Sequence, residues 1–106
     1  MKKIINHIVS FRDARDWRQF HNSKDLAAAL NVEAGELLEL FLWKEAEKAD
    51  KLKIKEELAD VFMYAFLLAD QQGLNVEEIV MEKLKKNEAK YPVNKAKGTA
   101  KKYDEL

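Results

Sequence analysis

Two pairs of carboxylates stand out in this chain of 106 residues, Glu33 with Glu36 and Glu57 with Asp60. The members of each pair are three positions apart, which on a helix puts both side chains on one face, a turn from each other. Projected at about 100° per residue, Leu26, Leu30, Leu37 and Leu40 fall within roughly 80° of one another and mark a core stripe. Glu33 falls in the middle of that stripe and Glu36 at its edge, whereas Glu39 projects to the far side as an ordinary surface residue. A second segment repeats the pattern: Ile54, Val61, Ala65 and Leu68 define its stripe, Glu57 lies within it, and Asp60 flanks it beside Tyr64 and Leu67. Burying an ionised carboxylate costs several kcal/mol even after relaxation, and neither stripe carries a lysine or arginine to offset it. A divalent cation is one resolution. Oxygen-only donors, with no Cys or His in the set, point to Mg²⁺ or Mn²⁺ before Zn²⁺ or Fe. The plainer resolution is a glutamate that pairs with a lysine of the tail or reaches out to water. Two such pairs on two adjacent antiparallel helices weigh toward the metal.

A second constellation is aromatic. Trp17, Phe20, Trp43 and Tyr64 could stack on a flat ligand such as a nucleobase, but aromatics at helical spacing equally build a core. Asn87, beside Lys83, Lys86 and Lys90, suits either a base edge or solvent, and its neighbours by themselves favour solvent. His7 and His21 have no partner at metal or triad spacing, and Ser10 and Ser23 lack companions for nucleophilic catalysis, so serine-hydrolase chemistry is not expected. With no cysteine, disulfides, thiolate metal sites and a cysteine nucleophile are excluded.

The elements that have to position these groups are helices. Three glycines and one proline leave little punctuation for a sheet of short strands. Helices are predicted over about 3–15, 24–49, 52–72 and 76–90, followed by an irregular tail over 93–106. Asn22 or Ser23 caps the second helix, Gly73 stops the third, Asn75 with Glu78 opens the fourth, and Tyr91-Pro92 ends it. The chain length implies one domain over 1–106 with one hydrophobic core. Nineteen basic against nineteen acidic residues give zero net charge, which argues against a partner that is a nucleic-acid polymer. No apolar run approaches the ~20 residues that a bilayer needs, and the N-terminus has no signal-peptide pattern, so a cytoplasmic protein without membrane contact is expected. Leu38 and Leu42 form a second apolar face that a domain this small cannot also bury, which suggests an interface.

Several segments together resemble the MazG-like all-α nucleotide pyrophosphohydrolases, and within them the dCTP pyrophosphatase branch. They are Arg15-Asp16-Trp17-Arg18-Gln19-Phe20-His21, the run Glu33 to Lys44 with its ExxE, Glu56-Glu57-Leu58-Ala59-Asp60-Val61 with its ExxD, Lys90-Tyr91-Pro92-Val93, and Lys97 to Tyr103. Where the broader family often opens the first motif with a doubled glutamate, Val32 stands here.

The resemblance implies an all-α, four-helix bundle-like domain that assembles into an oligomeric helical bundle, a homotetramer in preference to a dimer. It implies Mg²⁺ held by Glu33, Glu36, Glu57 and Asp60, and cleavage of a (deoxy)nucleoside triphosphate, dCTP-like substrates favoured, to monophosphate and pyrophosphate in house-cleaning of the nucleotide pool. Trp17, Trp43 and Tyr64 match base- and sugar-pocket positions, Asn87 a base-contacting asparagine, and Lys83 a residue near the phosphates. Glu36 is expected to accept the proton of the attacking water. Two other readings compete. A ferritin-like di-iron protein requires Glu-x-x-His, which is absent. A non-enzymatic helical metal-binding or protein-interaction module would carry the carboxylates without turnover.

Overall fold

The computed structural model describes residues 1–106 and has the expected all-α fold, with no strand. Helix α1 spans Lys2–Ala14, α2 Ser23–Glu39, α3 Lys51–Gln71, α4 Val76–Lys90, and a single-turn α5 Val93–Ala96. Short 3-10 turns occupy Arg18–Phe20, Ala46–Lys48 and Tyr103–Glu105. The helix starts follow from side-chain caps. Asn22 accepts the Asp25 N–H at 2.8 Å, Asp50 that of Leu52 at 2.9 Å, and Asn75 that of Glu78 at 3.0 Å. At the end of α3, Gly73 takes φ +66°, its N–H bonds the Asp70 carbonyl, and the Leu74 N–H bonds the Ala69 carbonyl. That pair of bonds is the Schellman stop, and its positive φ suits glycine.

The chain divides into two compact units, Met1–Leu74 and Asn75–Leu106. In the first, α2 packs along α3 and α1 lies against α3. The start of α2 is tied to the end of α3 by a hydrogen bond from Gln72 Nε2 to Ser23 Oγ, as an antiparallel pair requires. The end of α1 is held by Arg12, which is 2% exposed; Nη1 donates to Asp70 Oδ2 at 2.8 Å and Nε to Asp13 Oδ1 at 2.9 Å. The buried apolar side chains are Leu26, Leu67 and Ala69, while the stripe residues Leu30, Leu37, Leu40, Ile54, Val61, Ala65 and Leu68 are half-buried. Leu67 and Ala69 lie next to Asp70, where α1 closes over α3, so the driest part of the core sits at that end. In the second unit, Pro92 ends α4 and the tail folds back. The Tyr103 ring meets Tyr91 edge-on at 6.2 Å and takes the Lys90 ammonium at 4.8 Å.

Two boundaries differ from expectation. The helix expected over 24–49 ends at Glu39, with tightened i→i+3 bonds from Phe41 and Leu42 and a reversal at Trp43, whose φ is +62°. Beyond Leu42 the apolar stripe is lost to the charged run from Lys44, so nothing there rewards helix. The tail expected to be irregular holds α5 and a 3-10 turn. Large apolar side chains remain exposed, among them Leu38, Leu42, Phe62, Val80 and Leu84.

Candidate functional site

Glu33 and Glu36 lie on the second half of α2 and Glu57 on the first half of α3, the ends that an antiparallel pair brings side by side. One carboxylate oxygen from each of the three lies within 4.8 Å of the others. Glu33 and Glu57 are half-buried and Glu36 is exposed. Glu33 Oε2 and Glu57 Oε2 are shielded from solvent without any hydrogen-bond partner. Burial, followed by the hydrogen bond and charge of Glu36 and the charge of Asp60, raises the Glu33 carboxyl to about 7. Burial and the same neighbours raise Glu57 as well. Unpartnered carboxylate oxygens among like charges favour a positive counter-charge, and hard oxygen donors alone suit a small divalent cation. Asp60 stands outside the group of three. It is close enough for its charge to act on Glu33 and Glu57, and its side chain borders a cavity next to them.

That cavity, about 470 Å³, lies between α1, the turn after it, and α3. Its volume is within the about 300–1,000 Å³ of small-molecule sites. Ile8, Phe11, Trp17, Met63, Tyr64 and Leu67 make the apolar wall, and Phe11 meets Trp17 edge-on at 5.6 Å. Trp17 and Tyr64 are thus brought to one cavity. Trp43 is not part of it: it stands 99% exposed on the reversal after α2. Lys83 and Asn87 lie in the second unit, one turn apart on α4, where with Val80 and Leu84 they border a shallow groove of about 320 Å³.

Three polar residues of the cavity wall, His7, Arg12 and His21, had no role in the sequence reading, and two of them carry unpartnered buried atoms. Arg12 has Nη2 buried without a partner, and His21 has Nδ1 in the same state. Arg12 was discoverable, since it continues the apolar series Ile5, Ile8 and Val9 of the first helix as a basic residue on an apolar face. His21 gave no signal, because it lies in a connection with no periodicity.

The sequence profile of the MazG-like family matches residues 28–106, 79 of the 106 positions. Dedicated relatives include a dCTP pyrophosphatase 1 of Rattus norvegicus, 38% identical over 92% of this chain, and that of Bos taurus, 36% identical over 92%. The chain spans 62% and 63% of the length of those two proteins, respectively. In three dimensions it is similar to a pyrophosphatase of Archaeoglobus fulgidus, with 36% identity and a TM-score of 0.80, covering 87% of this chain and 92% of that one. The profile covers α3, α4 and most of α2, including all four carboxylates of the two motifs, and the chain belongs to the MazG-like family.

Proposed function

We propose that this chain is a nucleoside triphosphate pyrophosphohydrolase, cleaving (deoxy)nucleoside triphosphates between the α and β phosphates, with dCTP-like substrates favoured and Mg²⁺ as the metal. The observation that carries this reading is Asp60, whose charge acts on the carboxylate cluster of Glu33, Glu36 and Glu57 and which also lines an aromatic cavity large enough for a small-molecule ligand. The names of the mammalian relatives, dCTP pyrophosphatases, support this reaction and base, and that of the archaeal structural neighbour supports pyrophosphatase chemistry.

In this reading Glu33, Glu36, Glu57 and Asp60 hold Mg²⁺, which when bound neutralises phosphate charge and polarises the α-phosphorus. A triphosphate brings about four negative charges and cannot approach bare carboxylates, so the cluster requires that counter-charge. Trp17 and Tyr64 stack on and enclose the base, and the apolar wall excludes water around it. Glu36, the solvent-open member of the cluster, accepts the proton of the attacking water. Trp43, Lys83 and Asn87 are the remaining substrate-contacting residues of this reading, with Lys83 at the phosphates. In this reading residues 1–106 are one functional domain, as a family profile running over 28–106 supports. A homo-oligomer, a tetramer before a dimer, covers the exposed Leu38, Phe62, Val80 and Leu84. It also gives the fully exposed Trp43 a partner surface.

The test is product analysis with Mg²⁺ and a panel of dNTPs and NTPs. Monophosphate plus pyrophosphate, lost on adding EDTA, is the expected result. Orthophosphate alone would mean that a different bond is cut, and no turnover at all would leave a helical metal-binding or interaction module.

A further inference from the structure

Phe11 and Trp17 form part of the wall of the α1–α3 cavity, yet burial does not fix them: they are 51% and 44% exposed. Trp17 stands in the turn after α1, beyond a φ of +53° at Asp16, and its ring meets Phe11 edge-on at 5.6 Å. A wall of exposed rings keeps one shape when something outside the core holds it. Arg15 supplies that contact. Its guanidinium carbon lies 3.7 Å from the centre of the Phe11 ring and 6.0 Å from that of Trp17. Both distances are within the reach of a cation–π interaction. The Arg15 N–H turns to the Arg12 carbonyl, and Nη1 donates to the Phe11 carbonyl at 3.0 Å. The side chain is thus tied to the residue whose ring it covers. No carboxylate places it there: Asp13 is paired with Arg12, and Asp16 Oδ2 accepts from Gln19.

We propose that Arg15 is a positioning residue, a bracket across Phe11 and Trp17 that holds the cavity wall in its base-stacking arrangement before substrate arrives. This rests on the reading of the cavity as the base site. A ring that turns freely in the empty site loses that freedom when a base stacks on it, and fixing it beforehand removes the loss from the binding step. The role therefore acts on substrate affinity and not on the chemical step, since Arg15 bonds the wall and none of the carboxylates of the cluster. Arginine suits the task better than lysine. Its plane stacks on a ring while a separate N–H reaches the carbonyl. The plainer role is that of a basic residue completing a bare carbonyl at a helix C-terminus, which needs no ring beneath it.

The experiment compares the wild type with Arg15→Met and Arg15→Lys, reading KM and kcat for dCTP with Mg²⁺ and the sub-nanosecond depolarisation of Trp17 fluorescence. Depolarisation is measured without substrate, in a Trp43→Phe background that leaves Trp17 as the one tryptophan. Arg15→Met is expected to raise KM roughly tenfold with kcat within about twofold, and to increase the fast motion of the Trp17 ring. Arg15→Lys keeps the charge at the helix end without the flat stack, and should recover part of both. A helix-end role alone would lower the melting temperature of Arg15→Met and leave KM and Trp17 motion as in the wild type, which would overturn the inference. So would a fall in kcat with KM unchanged. A raised KM with an unmoved ring would make Arg15 a direct substrate contact and overturn it too. Should Arg15→Met not fold, Arg15→Lys decides: freer Trp17 motion with a raised KM supports the inference, and a wild-type value of either overturns it. Absence of pyrophosphate from every triphosphate would sink the proposed activity, whereas Trp17 motion, read without substrate, still decides whether Arg15 holds the wall.

Discussion

Near its C-terminal end α3 sets Asp70 against the buried guanidinium of Arg12, and in its first half it sets Glu57 against Glu33 and Glu36. Burial acts on both places and the outcomes are opposite. At Arg12, burial pulls the pKa down, but the hydrogen bonds and charges of Asp13 and Asp70 more than reverse this, and the group stays charged. At Glu33 burial and the neighbouring carboxylates act in the same direction, and at Glu57 burial with Glu36 and Asp60 outweighs an opposing hydrogen bond with Glu33, so the charge becomes hard to keep at both. The Arg12 end is electrostatically complete within the chain and reads as structure, apart from its one free donor. The carboxylate end is incomplete without a proton or a cation, which is the signature of a binding site.

Neutralising Glu57 tests the incomplete end most severely. Glu57→Gln removes one charge of the cluster and is expected to lower Mg²⁺-dependent pyrophosphate release by about 100-fold or more, as loss of a metal ligand does. The metal-free melting temperature should stay level or rise, because a repelled charge has gone. A variant that loses its fold but keeps normal Mg²⁺ binding would contradict this account.

The complete end should respond in the opposite sense. Asp70→Ala leaves Arg12 buried with only Asp13 as partner and is expected to destabilise the chain by roughly 2–3 kcal/mol, below the loss for a fully dry pair because Asp70 keeps some solvent. Urea unfolding measures it, and a loss under about 0.5 kcal/mol would mean the pair contributes no more than a surface bridge.

A pH series distinguishes the two ends in one sample. Glu33 binds its proton more tightly folded than unfolded, so in EDTA stability is greatest below the ordinary carboxylate range and falls as pH rises towards about 7. Mg²⁺ added at pH 7–8 should restore the lost melting temperature, since the ion takes the place of the proton. A metal-free melting temperature that rises over that interval would rule out the like-charge account. The smallest expected effect belongs to Gln72→Ala, which removes the bond to Ser23 beside the Arg12 end. It should cost about 1 kcal/mol in stability and leave turnover unchanged.

Much of the helical layout could be read along the chain because its determinants are local. Asn22, Gly73, Asn75 and Pro92 act within a few residues of themselves, through caps, a positive φ and a missing donor, and the helix ends near them agree with expectation. The end of α2 had no such residue. Trp43 reverses the chain in a conformation rare for a large side chain, and no local preference announced it. The carboxylate pairs were visible because a charge on an apolar stripe violates a one-dimensional pattern, and the same violation at Arg12 on the first helix was as available.

Sequence alone determined that the chain is all-helical, that acidic groups share a face with apolar ones on two segments, and that aromatic side chains are at hand. Periodicity and capping act over one to three turns, and such information needs no partner. Tertiary structure decided which charges are compensated: Arg12 meets Asp70 across 58 positions, and Glu57 meets Glu33 and Glu36 from a different helix. It also decided that Trp17 and Tyr64 share a cavity while Trp43 stands in solvent. Whether a buried charge is an anchor or an open site depends on the sign of its neighbours in space, and only packing brings those neighbours within a few ångströms.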